Sequence, residues 1–188
     1  MEDLIKYTCS VCGKEHEEWP ALAYNAPQAY LSLSEREKEE IADLTDDFCV
    51  IRYEDQTDRF IRCTLTQKVT DHCEDLEYGF WVSLSEKSFN DYDENYHNEN
   101  HETVYFGWMS NFLPEYKYAE SIPTNVYTRS GNQRPEIVPH EDSDHPFVKD
   151  YYQGITKAEA ERRINYMLNP DGTKNQQKDK TKSWWKRW

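Results

Sequence analysis

Two apolar runs, Phe48 to Tyr53 and Arg59 to Leu65, flank the polar tetrad Asp55-Gln56-Thr57-Asp58. Strand-forming residues on either side of a short turn segment predict an antiparallel hairpin. This pattern constrains the chain most, because more strand-like segments follow it. Phe80 to Ser85 alternates as a half-buried strand does, Val104 to Met109 is a further strand, and Asn125–Arg129 with Arg134–Val138 predicts a last hairpin around Ser130-Gly131-Asn132. Helices bracket these strands. Ser34 and Glu37 form a capping box opening a charged helix to about Asp46, with Ile41 and Leu44 as its apolar positions. Thr156 and Glu159 form a second box, with Ile155 and Ala160 as a hydrophobic staple. The helix they open runs to about Leu168 and presents Ala160, Ile164, Met167 and Leu168 to the core. Before the first helix, Trp19-Pro20 to Pro27 is an irregular connector, and between the helices the stretch Asn90 to Glu102, rich in Asn, Asp, Glu and Tyr, is expected to be a mobile surface loop. The pattern is α+β: an antiparallel sheet of about five or six strands flanked by helices, with a small N-terminal zinc-knuckle-like turn.

At 188 residues the chain can bury a core without disulfides. Only 37% of residues are hydrophobic, but 14% are aromatic, so the core is expected to be built on rings. Residues 1–20 form a metal-knuckle-like segment, 21–169 the α+β domain, and 170–188 a Lys- and Gln-rich tail expected to be disordered. The net charge of −14 hides a split: the tail carries +4 and the remaining residues −18. A surface of that sign repels phosphate backbones, which argues against nucleic acid, and attracts basic proteins. Met1-Glu2-Asp3 is acidic where a secretory leader is basic, and no segment has the length or polarity of a membrane span. The expected location is cytoplasmic, with five reduced cysteines.

Cys9-Ser10-Val11-Cys12-Gly13 carries a specific chemical signal. Two thiols spaced C-x-x-C on a tight turn can grip one zinc ion, which takes tetrahedral thiolate and imidazole ligands. His16 could supply a third ligand. No second C-x-x-C is present, so a fourth must come from elsewhere, and Cys49 is the best candidate. Cys49 also opens an apolar strand, where it would serve equally as a small buried hydrophobe. Such a zinc would be structural, contributing folding free energy. A redox pair would sit at a helix start, which the nearby Trp19-Pro20 opposes.

Other constellations are weaker. Ser83, Ser85, His140, Asp142, Asp144 and His145 are the residue types of a hydrolytic triad, but G-x-S-x-G is absent. His140 to His145 could bind a divalent cation or be a plain hydrophilic loop. Trp81 and Trp108 could share one sheet face, with Arg134 as an anion-recognising fork and His145 nearby, forming a binding groove. Core packing also explains large rings in strands. Trp184, Trp185 and Trp188 among lysines could touch anionic lipid weakly, or the tail could fold back on the acidic domain.

Several short motifs occur in a fixed order: Cys9-Ser-Val-Cys12-Gly13, Pro27-Gln-Ala-Tyr30, Asp46-Asp47-Phe48-Cys49-Val50-Ile51, Phe60-Ile61-Arg62, Gly79 to Ser85, Phe106-Gly107-Trp108, Asn125-Val126-Tyr127, Arg134-Pro135, His145-Pro146-Phe147 and Gly154-Ile155-Thr156. In these the chain resembles the bacterial family called domain of unknown function 2199, from about Tyr7 to Leu168. The resemblance implies a bacterial origin and a single compact domain, and it implies no activity. The residues favour a non-catalytic binding module, one version being an acidic inhibitor or immunity protein for a basic partner. That version needs the acidic segments Glu35–Asp47, Asp71–Glu77 and Asp91–Glu102 to meet in space. The alternative is a hydrolase using His145 or His140 with nearby carboxylates.

Overall fold

Strand β6 (Thr57–Gln67) buries Ile61, Cys63 and Leu65, every second residue, and its neighbour β7 (Leu76–Leu84) buries Leu76, Tyr78, Phe80, Val82 and Leu84 the same way. Period-two burial puts one face of each strand into a common interior. The computed structural model describes residues 6–8, 13, 15–113, 116, 120–131 and 133–168. Within these, β3 (Leu22–Ala23), β4 (Ala42–Leu44), β5 (Phe48–Arg52), β6, β7, β8 (Val104–Met109), β9 (Ile122–Arg129) and β10 (Gln133–Pro139) form one sheet of eight strands in the order β3-β7-β8-β9-β10-β6-β5-β4. An additional pairing of β7 with β6 closes strands β6 to β10 into a five-stranded barrel. Each consecutive pair in that barrel is antiparallel, and with an odd number of strands the first and last must point the same way. β6 and β10 accordingly meet in parallel, in register at Thr64 and Glu136.

The expected α+β class holds, while the sheet is larger than five or six strands and not wholly antiparallel. β3, two residues long, lies parallel to β7. Strands of two or three residues show no alternation to read, and barrel closure is a long-range event.

Ring packing dominates the interior. Tyr78 and Phe80 stack at 5.0 Å, and Phe147 meets Phe80 edge-on at 5.8 Å. Each large apolar side chain so buried contributes roughly 1.5–3 kcal/mol. At Gly107 an added Cβ would collide with Val82 Cγ1 and lie 2.9 Å from the Ser83 carbonyl oxygen, so glycine is what lets β8 close onto β7.

Helix α1 (Gln28–Leu31) and helix α2 (Glu35–Ile41) cover a second, smaller core on the outer face, where Cys49, Ile51, Phe60 and Trp81 are buried against Tyr24, Ala29, Tyr30, Leu33 and Ile41. The Ser34–Glu37 capping box forms as expected, but α2 stops at Ile41 and the chain passes straight into β4. The segment expected to be a loop, Asn90 to Glu102, has its first five residues in α3 (Glu86–Glu94), which is capped by the Ser85 hydroxyl and buries Phe89 and Tyr92. Phe89, Tyr92 and Tyr96 stand three and four residues apart, a helical face hidden in a polar composition. Helix α4 (Pro146–Gln153) and helix α5 (Lys157–Leu168) complete the covering. In α5, Ala160 and Ile164 are buried while Leu168 is 59% exposed, so the apolar face ends earlier than its pattern suggests. Thr156 caps through Glu159 N–H, and Glu159 directs its carboxylate to Arg162 and Arg163 rather than back to the cap.

A separate two-stranded hairpin precedes the sheet: β1 (Lys6–Thr8) pairs with β2 (Glu15–Glu17), placing Tyr7 opposite His16. Cys9, Cys12 and the tail from 169 to 188 lie outside the described residues. Among the described residues no helix is long and apolar enough to cross a membrane.

Candidate functional site

Strand β8 is apolar on both faces. Tyr105 and Met109 point into the barrel, which leaves Val104, Phe106 and Trp108 outside at 52%, 50% and 45% exposure. Tyr127 of β9 stands directly opposite Val104 and is also exposed. Phe106 meets Trp108 edge-on at 5.4 Å and His140 at 5.5 Å. The His140 ring is tied through Nε2 to Asn125 Oδ1 at 3.0 Å, and Asn125 is the β9 residue opposite Phe106. Tyr152, exposed on α4, extends the strip and donates its hydroxyl to the Pro139 carbonyl at 2.7 Å. Burial and the neighbouring Glu141, Tyr127 and Asp142 push the Tyr152 phenol above its ordinary pKa, which locates carboxylates at the edge of the strip. Glu136, opposite Tyr127 on β10, adds another. A contiguous exposed apolar patch rimmed by charge marks an interaction surface more often than a chance of composition.

The tryptophans expected to share a face do so by register, since Ser83 pairs with Trp108 and Trp81 lies two residues from Ser83. Their environments differ. Trp81 is fully buried beneath α1, and its indole N–H donates to the Tyr24 carbonyl at 3.0 Å. Trp108 is open. Arg134 joins neither, and His145 is in another place again.

Arg134 stands at the seam where the barrel closes. The edge of β6 is shared: β5 takes residues 57–61, β10 takes Thr64, and Arg62 N–H between them donates to the Asp47 carbonyl. The register of β10 shifts between Gln133 and Glu136. A cavity of about 430 Å³ opens there, its walls including Asp47, Thr64, Tyr96, His101, Arg129 and Arg134. Arg134 Nε donates to Asp47 Oδ1 at 2.6 Å, and the other oxygen of that carboxylate accepts from the Tyr96 hydroxyl at 2.8 Å. Arg129 Nε donates to the Arg134 carbonyl at 2.9 Å and its Nη2 to Thr64 Oγ1 at 3.0 Å.

His145, nearly buried, is the N-cap of α4: its Nδ1 accepts the Phe147 N–H at 3.1 Å. Burial holds the imidazole below its ordinary pKa, against a smaller opposing pull from Glu120. His145 borders a second cavity of about 440 Å³ with Asp58, Ser83 and Glu120. Its Nδ1 lone pair is spent on the cap, and His140 is tied to β9, so the two imidazoles do not form one acid–base pair. Ser85 likewise serves α3 as its cap.

Of the proposed metal ligands, His16 has its backbone in β2, and Gly13 has a φ of +68°, the left-handed conformation that a C-x-x-C-G turn requires. Cys49 is fully buried among Ile51, Phe60 and Trp81, and burial pushes its thiol up to about 12. It packs as a small apolar group. Among the described residues no three His, Cys, Asp or Glu side chains are grouped to hold a metal.

The acidic segments meet in part. The Asp47–Tyr96 hydrogen bond joins the first to the third. The second sits beyond the far end of β6, where Asp71 accepts the Lys157 N–H and Asp75 the Val69 N–H.

Phe106, Tyr127 and Asp47 entered the sequence reading only within motifs or segments and Arg129 only within a strand, and none was read as a site residue. One signal was present: Val104 to Met109 contains no polar residue, so an antiparallel strand there must leave apolar side chains outside.

A family model described as an uncharacterised protein conserved in bacteria matches residues 8–155, a span that includes the barrel, the seam and the strip and stops before α5. No curated protein and no solved structure matches the chain.

Proposed function

We propose, for a chain that belongs to the uncharacterised bacterial DUF2199 family, that it is a non-catalytic binding module whose outer barrel face docks a basic protein partner. The observation that carries this reading is the strip of Val104, Phe106, Trp108 and Tyr127, each at least 40% exposed on one face of a closed barrel. Aromatic anchors supply most of the binding energy in interfaces of this kind. The net charge of −14 and the rim carboxylates Glu136, Glu141 and Asp142 select for a partner of positive charge and speed its encounter. One form of such a module is an acidic inhibitor or immunity protein for a basic toxin.

The experiment is fluorescence anisotropy of the full-length chain with a synthetic peptide of alternating lysine and leucine, beside its glutamate counterpart. The lysine peptide is expected to bind saturably, to weaken as salt shortens the Debye length, and to lose at least about tenfold in affinity in a Phe106→Ser, Trp108→Ser variant. Equal binding of both peptides, or an unaffected variant, refutes the proposal.

A structural zinc held by Cys9, Cys12 and His16 is part of the same proposal. Its support is the β1–β2 hairpin that brackets the thiols and the positive φ of Gly13. Zinc there would hold the hairpin as a folded unit. Elemental analysis of the full chain beside a Cys9→Ser, Cys12→Ser variant is expected to give about one zinc per chain in the parent alone.

A further inference from the structure

The seam cavity has a charge balance that sets it apart on an acidic protein. Two guanidiniums line it, those of Arg129 and Arg134, and one lining carboxylate, Asp47, ties Arg134 and Tyr96 together. Asp47 grips Arg134 by Nε alone, which fixes the plane of the guanidinium and leaves its two terminal nitrogens without a protein acceptor among the described residues. Arg129 is held at two points, Nε and Nη2, and among the described residues its Nη1 faces Glu136 at 4.0 Å. Beside them, among the described residues, Arg62 Nε is buried without a hydrogen-bond partner and its Nη1 donates to the Asp46 carbonyl at 3.4 Å. Burial, with a smaller contribution from the charge of Arg134, holds the Arg62 guanidinium below its ordinary pKa, against the opposing pull of Asp47 and Asp46.

A guanidinium positioned by a second residue, with its forked N–H edge unoccupied, is the group that matches an oxyanion in bidentate fashion. The walls also carry hydroxyl, amide and imidazole groups from Thr64, Asn95, Tyr96 and His101, suited to the polar body of a small molecule. The volume of about 430 Å³ lies in the range of small-molecule sites. We propose that this seam cavity is a binding site for a small oxyanion, the phosphate or carboxylate of a polar metabolite, with Arg134 as the anion fork positioned by Asp47, and Arg129, held by Thr64 and the Arg134 carbonyl, as a second cation. An oxyanion there offsets the charges of Arg134 and Arg129. The site is separate from the aromatic strip and does not depend on the docking reading.

Thermal unfolding of the full-length chain is measured in inorganic phosphate and in succinate, each against sodium chloride of equal ionic strength. The proposal expects a saturable rise in melting temperature with at least one of the two anions. Phosphate alone identifies a phosphoryl ligand, succinate alone a carboxylate, and both a general oxyanion site. Arg129→Gln and Arg134→Gln should each weaken the effect by about tenfold or more, whereas Lys149→Gln on the exposed face of α4 should leave it intact. Arg134→Lys separates charge from fork: it keeps the charge and should recover only part of the effect. No anion-specific rise in the parent, or an equal rise in parent and both arginine variants, overturns the proposal. Melting in chloride alone shows whether either variant has lost its fold.

Discussion

Arg163 is the most consequential single side chain outside the apolar core. It lies on α5 with its side chain fully buried, yet it carries a full charge. Its Nη2 donates to Asp150 Oδ2 at 2.6 Å, its Nε to Glu159 Oε1 at 2.8 Å, and its Nη1 to the Tyr78 hydroxyl at 3.3 Å, while Tyr116 lies under the guanidinium at 5.2 Å. These contacts lock α5 and α4 onto β7. Arg163→Met keeps the packing of the stem and removes the charge. Two hydrogen bonds to carboxylates are lost, each worth about 1.5–3 kcal/mol, together with the longer one to the Tyr78 hydroxyl. Asp150 and Glu159 are 38% and 30% exposed, so both can regain water. Asp150 also keeps the Tyr116 hydroxyl. The net loss is therefore set at about 3 kcal/mol, the low end for breaking a buried pair. For a chain of this size that is a fall of roughly 6–12 °C in melting temperature. The pH dependence has a definite sign. Hydrogen bonds from Arg162, then Arg163, hold the Glu159 carboxyl below its ordinary pKa, against desolvation. A depressed carboxyl stabilises the fold above its unfolded value of about 4.3 and loses that contribution as pH falls through the lowered value. The gap between parent and variant should thus narrow below about pH 4. Melting of both proteins between pH 7 and pH 3 is the assay. A shift under about 2 °C at pH 7, or a gap that does not change with pH, refutes the reasoning.

Other consequences follow from buried groups. His145→Asn keeps a capping acceptor on α4 and removes a titrating group. Because burial lowers the His145 pKa, its contribution is complete above the unfolded value of about 6.5 and fades below it, so the variant should lose less stability than the parent between pH 7 and pH 5.5, read by melting. Thiol reactivity should follow burial: an alkylating reagent at pH 8 should modify exposed Cys73 and spare Cys49 and Cys63 until the chain unfolds, as peptide mass analysis would show. Rapid native modification of Cys49 would contradict its placement.

The sequence displayed the strands more clearly than their assembly. β5 with β6, and β9 with β10, stand where turn chemistry and alternation place them. Closure of the barrel was hidden because it rests on a parallel contact between Thr64 and Glu136, 72 positions apart, which no local period records. α3 was hidden by composition: its polar residues face water, and only the spacing of its rings betrayed it. The candidate sites divide along the same line. Trp108 and Arg134 were visible as residue types, but alternation alone could not tell that Trp81 is roofed by α1 while Trp108 is bare. The partners of Arg134 come from the loop before β5 and from the end of β9, so their meeting is a property of the closed barrel.

The docking face can be tested at single-residue level through its two tryptophans. In the ¹⁵N-labelled full-length chain, the indole N–H resonances of Trp81 and Trp108, assigned by a Trp→Phe variant of each, are followed as the lysine peptide is added. Trp108, open on the strip, should shift saturably, while Trp81, sealed and bonded to the Tyr24 carbonyl, should stay in place. Movement of both signals alike, or of neither while the peptide binds elsewhere, would contradict the assignment of this face as the interaction surface.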